Sequence, residues 1–201
     1  MIRFFNKLLR LKPKSVVIVS GLPRSGTSMM MRMLEAGGLE IVQDAIRKPN
    51  EDNPKGYYEF ERVKKLPEGD VEWLATARGR VVKVIAALLI HLPQSYTYKV
   101  LFMRRRMSEI LASQRKMLLR RGEDPNQVDD VEMTRLFEQH LAQVYAWMDQ
   151  QANVDYIDVS YNKMLEDPSR LIEEIQAFLG QALDTSAMAA VVEPTLYRQR
   201  R

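Results

Sequence analysis

The chain has 201 residues, 46% of them hydrophobic, which is enough for one compact domain with a substantial core. Thirty Lys and Arg against 26 Asp and Glu leave a net charge of +4, a mild excess that suits a small anionic ligand better than a polyanion. With no cysteine, a disulfide framework and a thiolate metal site are excluded, and a reduced cytoplasm is the simplest expected location.

The opening stretch "MIRFFNKLLRLKPK" (1–14) is basic and apolar, but it lacks an h-region of the usual length and a small-residue cleavage site, so it does not read as a signal peptide. A terminal helix packed on the domain is expected there. Peripheral membrane contact through residues 2–11, built on Phe4, Phe5, Leu8 and Leu9, is the lesser alternative. No apolar run approaches the roughly 18 to 20 residues that span a bilayer. The longest candidate, "VIAALLIHLP", ends at His91 and Pro93.

Four short runs rich in valine and isoleucine predict buried parallel strands: "SVVIVS" (15–20), "RVVKVIA" (80–86), "YKVLFM" (98–103) and "VDYIDV" (154–159). Between them helical spacing covers Ser28 to Ala36, Ser108 to Arg121, Asp130 to Ala152 and Pro168 to Leu179. Gly37-Gly38, Gly122 and Gly180 follow where C-caps use glycine, and Asp167-Pro168 supplies an N-cap and a first-turn proline. Strands alternating with helices predict an α/β fold, an open, mostly parallel sheet covered by helices on both faces, formed by a single domain over 1–201. Residues 43–60 and 122–133 contain the most loop-like segments, "KPNEDNPKGYYEF" and "GEDPNQVDD".

Chemistry concentrates where the first strand meets the first helix, in "GLPRSGTS" (21–28). Gly21 and Gly26 give the G-x-x-x-x-G frame of a phosphate-binding P-loop, yet Thr27 stands where a nucleoside-triphosphate loop has its lysine. The free amides and dipole of the helix N-terminus still attract an anion. Arg24 replaces the lysine in charge, next to Pro23, which stiffens the approach, and Ser25, Thr27 and Ser28 offer hydroxyls to a 5′-phosphate.

These residues resemble the 5′-phosphosulfate loop of sulfotransferases. That family has a P-loop nucleoside-triphosphate-hydrolase-like fold and uses 3′-phosphoadenosine 5′-phosphosulfate (PAPS) as sulfonate donor, leaving adenosine 3′,5′-bisphosphate (PAP). Two further segments are similar to the family's motifs. "RRMSEILASQ" resembles its 3′-phosphate motif, an arginine ending a strand and a serine eight residues later, here Arg105 and Ser113. The carboxyl ends of strands are also where open α/β sheets bind ligands, and an arginine fork grips a phosphate in two places. "YNKMLEDPSRLIEEIQAFLG" (161–180) resembles a strand-to-helix element of the family, which implies that Tyr161 lies near the adenine. The three segments span residues 16 to 180, and "NPKGYYEFE" is similar to a loop of bacterial members.

Animal cytosolic sulfotransferases carry a Lys-Thr-His triplet whose histidine is the general base, but this chain has Lys83-Val84-Ile85, and neither His91 nor His140 falls on the motif. Other branches use a glutamate after the phosphate-loop helix. The position that fits is Glu59, with Glu61 as the near alternative. Lys83, amid aliphatic residues in "VVKVI", is costly to bury without an anion, and the sulfonate or bridging oxygen would be one. Its other expected fates are snorkelling at a sheet edge and pairing with a carboxylate. Arg104 and Arg106 are expected to be solvated or paired.

The resemblance implies sulfonate transfer to a hydroxyl or amine acceptor by in-line displacement, with Arg24, Lys83 and Glu59 catalytic. Pro23 through Ser28, Arg105, Ser113 and Tyr161 would hold the donor, and residues 43–60 and 122–133 would line the acceptor site. No metal is demanded. The rival readings are a P-loop nucleotide kinase or NTPase, opposed by Thr27, and a noncatalytic nucleotide-binding protein of the same fold. Nucleic acid is not an expected partner, because Met107, Ile110, Leu111, Met117 and Leu118 give the basic run at 104–121 an apolar face that suits a core.

Overall fold

Five strands form one sheet: β1 (Val16–Gly21), β2 (Ile41–Val42), β3 (Val81–Lys83), β4 (Tyr98–Arg104) and β5 (Val154–Ser160). The computed structural model describes residues 14–44, 46, 50, 56–125 and 127–192. The order is β2-β3-β1-β4-β5, every pairing is parallel, and β1 lies at the centre. Residues 1–13, on which the expected terminal helix and the alternative membrane contact through 2–11 fall, much of 43–60 and the last nine residues lie outside the described residues.

Among the described residues six α-helices flank the sheet: α1 (Thr27–Ala36), α2 (Met107–Arg120), α3 (Asp130–Gln150), α4 (Tyr161–Glu166), α5 (Pro168–Leu179) and α6 (Thr185–Ala190). Strand alternation divides the core between the two faces of the sheet. Val16, Ile18, Val100 and Phe102 pack with Ile110, Val144 and Met148 of α2 and α3. Val17, Val19, Leu101 and Met103 pack on the other face with α1, α4, α5 and α6. Full burial of such side chains contributes about 1.5–3 kcal/mol each, so both helical layers are held by the continuous apolar runs read from the sequence.

Local signals set several boundaries. Asp167 caps α5 by accepting from Ser169 N at 3.1 Å, Pro168 occupies its first turn, and Gly180 closes it in the left-handed region at φ 70°. Elsewhere the boundaries move. β3 stops at Lys83; Val84 N still reaches Val19 O at 3.1 Å, and the apolar run then continues as a 3-10 helix over Ala86–His91, with Val84 and Ala86 both buried. A hydrophobic run reports burial and does not by itself say strand. Residues 130–133 of the second candidate loop belong to α3, whose N-cap Asp129 accepts from Glu132 N at 2.8 Å. Among the described residues no helix is long and apolar enough to cross a membrane.

Candidate donor and acceptor site

The phosphate loop lies at the C-terminal end of β1 and owes its path to two glycines. Gly21 has φ 145°, and a Cβ there would lie 2.6 Å from Ser25 Oγ and 2.7 Å from Met103 O. Gly26, at φ 102°, caps α1, and its Cβ would lie 2.4 Å from Cδ2 of Tyr161. Arg24 adopts φ 71°, a left-handed conformation that costs a non-glycine residue on the order of 1–2 kcal/mol. Met29 N and Met30 N both reach Gly26 O, but the amides of Gly26 and Thr27 bond to no described backbone carbonyl. The helix therefore points unengaged donors into the loop, the arrangement that holds an anion.

Ser25 sits deeper than the other expected loop hydroxyls. Its side chain is fully buried, its Oγ has no partner among the described residues, and its amide closes a turn onto Leu22 O at 3.2 Å. Tight passage of the loop over Gly21 turns this hydroxyl inward. Thr27 and Ser28 remain partly exposed at the start of α1, and Pro23 is exposed at the tip.

The second expected group stands at the end of β4, the strand hydrogen-bonded beside β1. Arg104 is the last strand residue and Arg105 follows it, in the two-residue junction before α2. Arg105 Nε donates to Glu109 Oε2 at 2.9 Å and its Nη1 donates to Arg24 O at 3.0 Å. Its guanidinium carbon sits 4.5 Å from the centre of the Tyr161 ring. Ser113, two turns into α2, accepts from Arg24 Nε at 2.9 Å. The 3′-motif residues and the phosphate loop thus meet directly. Tyr161 is buried at 7% exposure, wedged between Gly26 and Arg105 as packing for both. Arg104 instead reaches the Tyr145 hydroxyl at 2.9 Å, and Arg106 lies 3.6 Å from Glu109.

Lys83 projects on the side of Val81, toward α1. Its Nζ donates to Tyr57 O, and lies 3.4 Å from Ser28 Oγ. β2 pairs with Val81 and Val82 but not with Lys83, whose side chain is nevertheless buried, so it does not snorkel to solvent. The lysine joins the phosphate-loop helix to the first candidate acceptor segment. Three of its residues are each tied down: Tyr57 OH donates to Asn50 at 2.6 Å, Tyr58 OH to Glu35 at 2.8 Å, and Asp44 N to Glu59 O at 3.2 Å. Tyr58 sits at φ 53°, and burial, followed by its bond to Glu35, pushes its phenol well above the ordinary range. Glu59 is partly buried just before the 3-10 helix Glu61–Glu68. Glu61 opens that helix and accepts from Lys64 Nζ at 2.7 Å on the surface.

Two residues of the arginine cluster, Glu109 and Asn162, were not singled out by the sequence. Glu109 Oε1 accepts from Asn162 Nδ2 at 2.8 Å, and Asn162 Oδ1 accepts from Arg106 N at 3.2 Å. The signal available was the four-residue spacing of Arg105 and Glu109 across a helix start. A separate hollow of about 510 Å³, lined by Lys99, Asp149, Asp155, Tyr156 and Phe178 among others, lies at the opposite ends of β4 and β5. Lys99 there caps α5, donating to Phe178 O at 2.6 Å and Leu179 O at 3.0 Å.

A family model described as "Sulfotransferase domain" matches residues 14–201. Among solved structures, mouse sulfotransferase SULT7A1 complexed with PAP is similar at 17% identity and a TM-score of 0.53, over 88% of this chain and 61% of that one. The chain thus spans less than two thirds of the mouse enzyme's length. The sulfotransferase domain from the curacin biosynthetic pathway is similar at 12% identity and a TM-score of 0.52, over 93% of this chain and 79% of the other. At these identities the likeness is one of fold. No curated protein matches the chain.

Proposed function

The chain belongs to the sulfotransferase family, and from that premise we propose that it transfers a sulfonate group from PAPS to a hydroxyl or amine acceptor by in-line displacement. The observation that carries this reading is the contact between two anion stations on neighbouring strands. A phosphate loop alone suits many nucleotides. A loop whose Arg24 carbonyl and Nε are bonded to Arg105 and Ser113 suits a nucleotide with phosphates at both the 5′ and 3′ positions.

Bound PAPS would supply an activated sulfonate on a phosphate leaving group. The residues divide the remaining work. The amides of Gly26 and Thr27, the hydroxyls of Thr27 and Ser28 and the α1 N-terminus hold the 5′-phosphate, with Pro23 stiffening the loop. Ser25, whose buried Oγ has no partner among the described residues, completes this set. Arg105 and Ser113 hold the 3′-phosphate, with Tyr161 beneath the arginine at the adenine end. Arg24 and Lys83 place positive charge beside the transferring group and leaving oxygen, where preorganised charge acts most strongly. Glu59, two residues beyond the carbonyl that Lys83 holds, removes the acceptor proton. Residues 43–60 and the stretch leading into α3 line the acceptor side.

Calorimetry with PAP, AMP and ATP tests the donor assignment. PAP should bind and stabilise the protein to heat without magnesium, while AMP and ATP do so weakly. Arg105→Ala should cost about 1.5–3 kcal/mol of PAP binding. Equal affinity for AMP and PAP overturns the 3′-phosphate station, and tight magnesium-dependent ATP binding restores the kinase or NTPase reading. Isotopically labelled donor with pooled acceptors then separates an enzyme from a noncatalytic binder.

A further inference from the structure

An arginine that reads a phosphate must present one edge of its guanidinium and hold it still. The structure leaves Arg105 little freedom. Its side chain is 8% exposed, Nε is committed to Glu109, Nη1 is committed to the Arg24 carbonyl, and the Tyr161 ring lies against one face. Its Nη2 donates to none of the described residues. The edge left to a ligand is therefore set by the groups that occupy the other edges.

Glu109 is the main one, and it is itself held. Its side chain is 4% exposed, in the first turn of α2, with one oxygen on Arg105 Nε and the other on Asn162 Nδ2. Asn162 belongs to α4, beyond β5, and its carbonyl oxygen receives the amide of Arg106, so the side chain is used at both ends. The brace runs through buried side chains from the β4–α2 junction to α4 and back. It meets the phosphate loop through Arg105, whose Nη1 donates to Arg24 O.

A buried carboxylate beside a phosphate-binding arginine has two opposed effects. Its charge repels the ligand, whereas its hydrogen bond orients the arginine. Resting on the donor reading above, we infer that orientation wins and that Glu109 and Asn162 are positioning residues through which the site distinguishes a 3′-phosphorylated nucleotide from one without that phosphate. They make no contact with the ligand themselves; they act through Arg105.

The opposed signs make this testable on the full chain, by titrating PAP and AMP into the wild type, Glu109→Ala, Glu109→Gln and Asn162→Ala. Wild type should prefer PAP. Glu109→Ala should lose about 10-fold to 100-fold in PAP affinity, and Asn162→Ala, which removes no charge, about 3-fold to 10-fold. AMP affinity should change much less in each, so that the PAP-to-AMP ratio falls. Glu109→Gln keeps one acceptor for Arg105 and should recover part of the ratio. Tighter PAP binding by either Glu109 variant means that repulsion dominates and overturns the proposal, as does an equal loss for both nucleotides, the mark of general structural damage. Should Glu109→Ala fail to fold, the glutamine and Asn162 variants decide between the same outcomes. A wild type that binds PAP and AMP alike removes the donor reading and the brace's role with it, whereas a wild type that prefers PAP beside variants with an unchanged ratio removes only the brace.

Discussion

The proposed donor and acceptor sides of the site are built differently. On the donor side, side chains bond to one another across buried contacts: Arg24 to Ser113, Arg105 to Glu109, Glu109 to Asn162. On the acceptor side the chain from Tyr57 to Glu59 is held by its backbone carbonyls, through Lys83 and Asp44, and by tyrosine hydroxyls reaching Asn50 and Glu35. Side chains locked to one another preset the geometry of a ligand whose form never varies. A segment whose path rests in part on main-chain carbonyls depends less on side-chain pairing for its position, which suits the proposed acceptor side.

If that division is functional, changes on the two sides should separate into turnover and donor affinity. Glu59→Gln is the strongest test. Turnover should fall roughly 100-fold to 10,000-fold, the usual contribution of a general base, while PAP affinity measured by calorimetry stays near that of wild type. Glu61→Gln, on a residue paired with Lys64 at the surface, should leave turnover near normal. The reverse result would move the base to Glu61, and two active variants would remove it from this segment.

Gly26→Ala probes the donor side. The added Cβ meets the Tyr161 ring in a conformation that alanine rarely adopts, so strain and overpacking together should cost about 3 kcal/mol of stability. The measurement is the shift in thermal midpoint together with PAP affinity. Retention of both would mean that the loop and Tyr161 are not packed as described. Tyr58→Phe should have the smallest effect. It removes the bond to Glu35, costing about 0.5–1.5 kcal/mol, and it should lower turnover a few-fold with PAP affinity unchanged. A loss confined to PAP affinity would erase the distinction between the two sides.

Much of the molecule was legible in the sequence because its determinants are local. Continuous valine and isoleucine runs marked four of the five strands, and Asp167, Pro168 and Gly180 bounded α5 at the residues expected. The two-residue strand β2 is too short for any periodicity to mark. The phosphate loop could be read at single-residue scale because glycines at 21 and 26 take positive φ, a local backbone demand, although Met103 and the Tyr161 ring, which also crowd them, lie far away in sequence.

The partners of the buried polar groups could not be read that way. Glu109 and Asn162 are 53 residues apart, and Lys83 and Tyr57 are 26 apart; no local rule links them. Nor could the run through Val84 and Ala86 announce that it leaves the sheet, since a hydrophobic pattern records burial equally in a strand and in a 3-10 turn. The sequence by itself determined the alternation of elements, the family motifs and the loop at the end of β1, because each follows from short-range sterics and patterning. The tertiary structure alone decided which amide braces Glu109, which carbonyl receives Lys83 and which way Ser25 turns. Those depend on which groups the strand order β2-β3-β1-β4-β5 and the packed helices bring within hydrogen-bonding distance once water has been excluded.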